Sequence, residues 1–220
     1  MKILALEFSA DLRSAAVLAG SPVPACARED APREHGPLTL IERALRAAGV
    51  EREAIDTIAV GLGPGSYAGI RSAIAVAQGW QLGRKVRLVG ICSVEVLAAQ
   101  AQASGLRGPV NFVVDAQRGE LYWARYVIGL EGREPVQPLR LAAWSDLASA
   151  IAQGELLMGP SAGMVERGVK PLMPGASALA VLAAGCDVDM APETLEPIYL
   201  RATSFIKAPP ARWIPPVKRG

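Results

Sequence analysis

The chain has 220 residues, of which 51% are hydrophobic and 20% charged, so it can bury a sizeable core and is not of the disordered class. His35 is the single histidine and the three cysteines are far apart, which excludes a disulfide framework and a paired-cysteine zinc site. No segment reaches the ~18 uncharged apolar residues of a membrane span, and Glu7 interrupts the first apolar run too early for a secretory signal. The composition predicts a cytoplasmic protein with one large or two small domains and no bound metal.

The net charge of +2 is unevenly distributed along the chain. No acid follows Glu196, whereas five basic residues do, so the first 196 residues carry a charge of −3. A mildly acidic body does not make a broad nucleic-acid-binding surface. The basic, proline-rich segment 207–220 is predicted to be extended and mobile. It contacts phosphates or an acidic partner surface, or it is only a solubilising end.

The first half alternates short apolar runs with helical patterns. Strands are predicted at residues 2–8, 14–19, 23–28, 56–62 and 86–90, and helices at 37–48, 68–82 and 94–103. Gly36, Pro37 and Gly49 mark the two ends of the first helix. Its apolar residues Leu38, Ile41, Leu45 and Ala48 recur at helical spacing and are predicted to share one face.

The helix predicted at 68–82 carries two stripes without a charged residue. The apolar stripe, which is predicted to be buried, consists of Ile70, Ala73, Ile74, Ala77 and Trp80. The second stripe consists of small residues only, namely Ser72, Ala75, Gly79 and Gly83. Because small residues let another helix approach closely, this stripe either packs within the chain or forms a subunit interface.

Turn residues at 104–105 and 108–109 predict a boundary between an N-terminal lobe, residues 1–104, and a smaller C-terminal lobe, residues 105–206. In the second lobe, strands are predicted at 110–114, 120–128, 134–141 and 156–158, and helices at 145–152 and 176–185. Each lobe opens with a strand that ends in an acid, Glu7 or Asp115, followed by a turn and another strand.

The loop 61–69 contains four glycines and lies between an apolar strand and the charge-free helix. Free N–H groups of such a loop at a helix N-terminus can hold an anion. The phosphate-binding P-loop pattern is not met, because five residues separate Gly63 from Gly69 and no Lys-Ser/Thr follows. The looser dinucleotide pattern is met by Gly63, Gly65 and Ala68, but the next strand does not end in an acid. These tests favour a tight turn between a strand and a packed helix over a phosphate cradle.

Four segments occur in the order seen in a known family. They are Ile-Leu-Ala-Leu-Glu-Phe-Ser at 3–9, Gly-Pro-Gly-Ser-Tyr-Ala-Gly-Ile-Arg at 63–71, Asp-Ala-Gln-Arg-Gly-Glu-Leu-Tyr at 115–122 and Pro-Ile-Tyr-Leu-Arg at 197–201. In these segments the chain resembles the TsaB (YeaZ) family, bacterial subunits of the machinery that makes threonylcarbamoyladenosine in tRNA. The resemblance implies a two-lobed actin-like (ribonuclease H-like) α/β fold, with mixed sheets flanked by helices.

The resemblance also implies a function and partners. It implies a non-catalytic scaffold that binds a TsaD-type catalytic paralogue, with a TsaE-type ATPase on the assembled pair. It further implies that homodimers can form and that contact with tRNA is at most indirect. The partner surface is then expected on the first two helices, at Ala68, Ser72, Ala75, Val76, Gly79, Gly83, Leu38, Ile41 and Leu45.

The chain departs from the family where a nucleotide would bind. The usual Asp-Thr-Ser is Glu7-Phe8-Ser9, and the usual Phe-Thr of the glycine loop is Tyr67-Ala68. We therefore predict no cofactor, no catalytic residue and a vestigial nucleotide cleft formed by Glu7, Ser9, Gly63, Gly65, Ser66 and Asp115. The alternative is a nucleotide-dependent transferase or metallopeptidase-like enzyme of the same superfamily, with Glu7 and Asp115 facing each other across the cleft. The single histidine and the absent phosphate-loop lysine favour the scaffold.

Overall fold

The computed structural model describes residues 1–29, 36–160 and 162–200. The predictions for His35 and for the basic segment 207–220 lie outside these residues. Ten strands are described: β1 Lys2–Glu7, β2 Arg13–Ala19, β3 Ala25–Glu29, β4 Thr57–Gly61, β5 Arg87–Ile91, β6 Gly108–Asp115, β7 Glu120–Ile128, β8 Arg133–Ala143, β9 Leu156–Gly159 and β10 Lys170–Pro171. Five α-helices are described: α1 Pro37–Ala48, α2 Tyr67–Gly83, α3 Ser93–Ala103, α4 Ala148–Ala152 and α5 Ala176–Ala184.

The strands form two mixed sheets of five. The first has the order β3-β2-β1-β4-β5, and the second the order β10-β9-β6-β7-β8. The centre of the first sheet is β1, which pairs antiparallel with β2 and parallel with β4. Residues 3–7 of β1 are all buried, as expected of a central strand covered on both faces. The predicted fold class is confirmed.

Helices cover both faces of the first sheet. On one face, α1 and α2 bury Leu40, Ile41, Ile70 and Ile74 against apolar residues of β1 and β4. The predicted buried stripe of α2 is confirmed, since all five of its residues lie in this core. On the opposite face, α5 packs its alanines and Leu179 against β1 and β2.

Helix α3 lies between the two sheets. Its residues Val94, Leu97 and Ala101 pack on the second sheet, while Val96 joins the core beneath the first. The other face of the second sheet is covered by Leu147, which ends the 3-10 turn Trp144–Leu147 just before α4, and by Met164, which lies in the 3-10 turn Ala162–Arg167. The result is a layered arrangement in which sheets alternate with helices.

The chain beyond the second sheet returns to the first lobe. The hydroxyl of Ser14 on β2 accepts a hydrogen bond from the N–H of Ala176 at the start of α5, at 2.8 Å. Gln100 on α3 accepts from the N–H of Gly175 at 2.8 Å and donates to the carbonyl of Met173 at 3.1 Å. Helix α5 therefore covers the first sheet although it follows the proposed boundary at residue 104.

The segment after α5 runs across the first lobe as an extended strap, residues 186–200. The N–H of Met190 donates to the carbonyl of Leu88 at 2.8 Å, and that of Ile198 to the carbonyl of Leu62 at 2.9 Å. The strap contacts α2, where the side-chain amide of Gln78 donates to the carbonyl of Pro192 at 2.8 Å. No helix among the described residues is both long and apolar enough to span a membrane.

Two glycines of α2 give a matched test of how closely the first turn packs. A Cβ added at Gly69 would overlap the carbonyl oxygen of Phe8, whereas a Cβ at Gly79 meets no atom. We predict that Gly69→Ala lowers the free energy of unfolding by about 1–3 kcal/mol. Gly79→Ala should raise it by up to about 1 kcal/mol, because alanine is the better helix former. Urea denaturation measures both, and equal effects of the two substitutions would contradict the packing described.

Candidate functional site

The glycine loop packs directly on the turn between β1 and β2. A Cβ at Gly65 would overlap the carbonyl oxygen of Ser9, so only glycine permits this approach. The N–H of Ser66 donates to the same carbonyl at 2.7 Å. The loop is therefore fixed to the end of the central strand.

Five backbone N–H groups of the loop and the first turn of α2 donate within the chain. The acceptors are Ile91 O for Leu62, Ser93 Oγ for Gly63, Ser9 O for Ser66, Ser66 Oγ for Gly69 and Ser66 O for Ile70. Ser66 is thus the N-cap of α2, and it occupies a donor that an anion would otherwise use. These amides contribute to packing and are not directed at an open phosphate site.

Glu7 is fully buried beneath the loop. Its carboxylate accepts a hydrogen bond from the N–H of Ser9 at 3.0 Å and another from the hydroxyl of Ser93 at 2.9 Å. The same Ser93 oxygen accepts from the N–H of Gly63 at 3.1 Å. Burial raises the pKa of Glu7 above 4.5, although the hydrogen bonds from Ser9 and Ser93 oppose this. Gly61 must lack a side chain, because a Cβ there would overlap the Glu7 carboxylate.

A cleft with a volume of about 560 Å³ lies between the two lobes. It brings together four of the predicted cleft residues, Ser9, Gly65, Ser66 and Asp115. The other lining residues are Ala10, Asp11, Val114, Ala116, Gln117, Tyr122, Pro160, Gly163 and Tyr199.

Glu7 and Gly63 do not line this cleft. The expectation that Glu7 faces Asp115 across it is not met, because the Glu7 side chain turns inward to Ser93. Asp115 is exposed at the end of β6, where it accepts hydrogen bonds from the Gln117 N–H at 2.7 Å and side-chain amide at 3.1 Å. The two carboxylates therefore do not form an acid–base pair.

The outer face of α2 is open. We use this name for Ala68, Ser72, Ala75, Val76, Gly79 and Gly83, all of which are exposed or half-buried. Leu82, at the end of the helix, is 91% exposed. A run of twelve residues, 72–83, contains no charged side chain. Ala75, Gly79 and Gly83 of the small-residue stripe are therefore exposed, whereas Ser72 is half-buried and the neighbouring Val76 packs against the first core.

Of the three α1 residues predicted for the partner surface, one is exposed and two are buried. Leu38 is 63% exposed, whereas Ile41 is 2% exposed and Leu45 is buried with it. Both buried residues pack in the core against the first sheet. The buried face of α1 consists of Leu40, Ile41, Ala44 and Leu45, so Leu38 lies outside it. A partner can reach Leu38 but not Ile41 or Leu45.

The described residues offer neither a metal site nor a reactive thiolate. Among residues 1–29, 36–160 and 162–200, no group of three or more His, Cys, Asp or Glu side chains could hold a metal ion. The three cysteines are half-buried. Burial raises the pKa of the Cys92 thiol, which keeps it protonated at neutral pH.

Ser93 and two cleft tyrosines, Tyr122 and Tyr199, were not among the predicted site residues. Ser93 follows a strand and begins α3, a position typical of a helix cap, so nothing in its surroundings indicated a bond to Glu7. Tyr122 and Tyr199 both line the cleft. Tyr199 also contacts Tyr67 on α2, with ring centroids 5.2 Å apart. Tyr122 belongs to the segment 115–122 and Tyr199 to the segment 197–201. Both segments were among the four that carry the family resemblance, and this was the one sequence feature that could have pointed to these tyrosines.

Two mixed five-stranded sheets, with helices on their faces and a cleft between the lobes, define a two-lobed actin-like α/β protein. The chain belongs to the family whose model is described as TsaD: tRNA N6-adenosine threonylcarbamoyltransferase, which matches residues 29–156.

Relatives and solved structures agree with this assignment. The chain is 29% identical to "tRNA threonylcarbamoyladenosine biosynthesis protein TsaB" of Escherichia coli (strain K12), over 91% of this chain and 95% of the relative. It resembles "YeaZ from Pseudomonas aeruginosa" with a TM-score of 0.75 and 26% identity, over 90% of this chain and 99% of that one. A second structure, of an uncharacterized protein with similarity to peptidase YEAZ from the same organism, gives a TM-score of 0.78 and 28% identity over 91% and 99%. The predicted resemblance to TsaB (YeaZ) is confirmed.

The buried carboxyl of Glu7 predicts a specific pH dependence of stability. Because its pKa in the folded chain is raised above 4.5, the folded state holds the proton more tightly than the unfolded state. This contribution is fully present below about pH 4.5 and is lost as the pH rises through the folded pKa. We therefore expect the free energy of unfolding to fall with rising pH in this window, and Glu7→Gln to remove that slope.

Urea denaturation between about pH 4 and about pH 8 measures the slope. Glu42→Gln, at an exposed position of α1, is the control and should follow the unsubstituted chain. Parallel curves for Glu7→Gln and the unsubstituted chain would contradict the burial of an ionisable Glu7.

Proposed function

We propose that this chain is a non-catalytic scaffold subunit of the complex that forms N6-threonylcarbamoyladenosine in tRNA, and that it binds and stabilises a TsaD-type catalytic subunit. The relatives named TsaB and the family match support the pathway. It would act in the cytoplasm, with a TsaE-type ATPase on the assembled pair and tRNA contacted at most indirectly.

One observation carries the non-catalytic part of this proposal. The amides of the glycine loop donate to Ile91, Ser93, Ser9 and Ser66, and the buried Glu7 takes part in the same network. A phosphate that used these amides would have to break these bonds, and the loop has no lysine to compensate. The loop thus serves packing in the first lobe, and this supports a paralogue that does not catalyse the transfer reaction itself.

The scaffold part rests on the outer face of α2. Its own side chains are small and uncharged, so a partner helix can approach closely. Leu38 and Leu82 supply exposed apolar surface on the same side of the first sheet. A homodimer would use the same face, and it would then compete with the catalytic subunit.

A second candidate function is an enzyme of the actin-like superfamily, either a nucleotide-dependent transferase or a metallopeptidase-like protein. The observation in its favour is the open interlobe cleft with the exposed Asp115 at its edge. A carboxylate without metal ligands or a phosphate-binding lysine gives this candidate little chemistry to use.

We predict that Ala75→Arg and Gly79→Arg each weaken association with the catalytic subunit by about 30-fold or more, corresponding to about 2 kcal/mol. A long charged side chain would hold off the partner backbone and would lose hydration on association. Sedimentation or calorimetric titration of the two purified subunits measures the affinity.

Ala103→Arg is the matched control, since Ala103 is exposed at the last turn of another helix, α3. It should leave the affinity unchanged. If the α2 variants fold with an unaltered melting temperature and associate normally, the outer face of α2 is not the interface. If they unfold, the stripe contributes to stability, which would also contradict the proposal.

A further inference from the structure

Strand β5 forms one edge of the first sheet, and part of that edge is uncovered. The odd-numbered residues of β5 bond to β4 and the residues next to it, as the carbonyl of Ile91 does when it accepts from the N–H of Leu62 at 2.8 Å. The even-numbered residues therefore direct their backbone groups away from β4. Leu88 is one of these, and the strap covers it. Its N–H donates to the carboxylate of Asp189 at 3.1 Å, and its carbonyl accepts from the N–H of Met190 at 2.8 Å.

The next two outward-facing residues, Gly90 and Cys92, lack this cover. The N–H and carbonyl of Gly90 and the N–H of Cys92 form no hydrogen bond with any residue that the structure describes. Unpaired backbone groups in a row along a sheet edge are a template for a further strand. In an antiparallel pairing, Gly90 would exchange two hydrogen bonds with one residue of the added strand, and the N–H of Cys92 would donate a third.

A cavity with a volume of about 470 Å³ lies beside these unpaired groups. Its described lining residues are Gly90, Ile91 and Cys92 at the edge, Val181, Leu182, Gly185 and Cys186 in and after α5, and Glu95 and Arg133 at the rim. The α5 wall carries no charge, and Val181 is 52% exposed. The two charged residues lie 3.9 Å apart as an ion pair, so the lining has no net charge.

The alternation of side chains along β5 determines which residues of an added strand would meet the α5 wall. Leu88 packs in the core beneath α1 and α2, whereas Ile91 packs in the core beneath α5. Residues that lie opposite each other in an antiparallel pair share one face of the sheet. The residue opposite Gly90 would therefore face away from α5. The residues before and after it would direct their side chains towards Val181 and Leu182.

We propose that the open edge of β5 is a docking site for an extended peptide segment of a partner protein, which adds to the first sheet as an antiparallel sixth strand at Gly90 and Cys92. The side chains that it directs at α5 are aliphatic, because the wall that they meet is apolar and uncharged. At about 3.4 Å per residue, roughly three or four residues fill the edge between the strap and α3. The site lies apart from the outer face of α2, so it does not depend on the scaffold function.

Nuclear magnetic resonance of the isotope-labelled, full-length chain tests the proposal with the capped pentapeptide acetyl-Thr-Val-Thr-Val-Thr-amide. We expect saturable shifts of the Gly90 and Cys92 N–H resonances, with a dissociation constant of about 1 mM. With the valines against α5, the threonine N–H groups face β5 and the valine N–H groups face away from it. N-methylation of the three threonines should therefore weaken binding about tenfold or more. N-methylation of the two valines should leave the affinity within about twofold of the parent peptide, because no bond to β5 is lost.

A matched pair of variants tests the α5 wall. Val181→Asp puts a charge beside the valine side chains and should weaken binding of the unmethylated peptide about tenfold or more. Val188→Asp is the control, since Val188 is 56% exposed and does not line the cavity, and it should leave the affinity unchanged.

Three results would overturn the proposal. They are an absence of shifts at Gly90 and Cys92, equal effects of the two N-methylated peptides, and a stronger effect of methylation at the valines. If the same two resonances shift on dilution of the free chain, a second copy occupies the edge, and this also contradicts a partner peptide. Because the outer face of α2 takes no part in these measurements, this proposal and the scaffold function can fail independently.

Discussion

The hydrogen-bond network of Glu7, Ser93 and Gly63 is the interaction on which the arrangement of the first lobe depends. It joins the end of β1, the start of α3 and the glycine loop, three elements that lie far apart in sequence. A buried carboxylate is costly unless several donors surround it, and here two backbone N–H groups and a hydroxyl share the network. Gly61 and Gly65 supply the close approach that this packing requires.

The position of the glycine loop determines the orientation of α2. With Ser66 capping the helix and the loop held against Ser9, the inner stripe of α2 packs on the sheet in one orientation. Its outer face, small and uncharged, is then presented as a rigid surface, so a partner would bind with little loss of conformational entropy. The glycine loop thus fixes the position of a helix whose outer side chains are small and uncharged.

Local features were predictable from the sequence, whereas side-chain direction across long sequence distances was not. Pro37 and Gly49 defined both ends of α1, and the spacing of Ile70, Ile74 and Trp80 predicted the buried stripe of α2. The two-residue strand β10 was missed, being too short to show a pattern. The bond between Glu7 and Ser93 spans 86 residues, so no local pattern indicated that the carboxylate turns inward. Leu38 shares the predicted helical stripe with Ile41 and Leu45, but the buried side of α1 consists of Leu40, Ile41, Ala44 and Leu45 and leaves Leu38 exposed.

Calorimetric titration of the purified chain with Mg-ATP tests the central claim most directly, because it asks whether the glycine loop still accepts a phosphate. Because amides of the loop already donate within the chain, we expect no saturable binding with a dissociation constant below about 1 mM. Glu7→Gln should leave that result unchanged, since Glu7 does not line the cleft. Saturable Mg-ATP binding with a dissociation constant below about 1 mM would contradict this prediction.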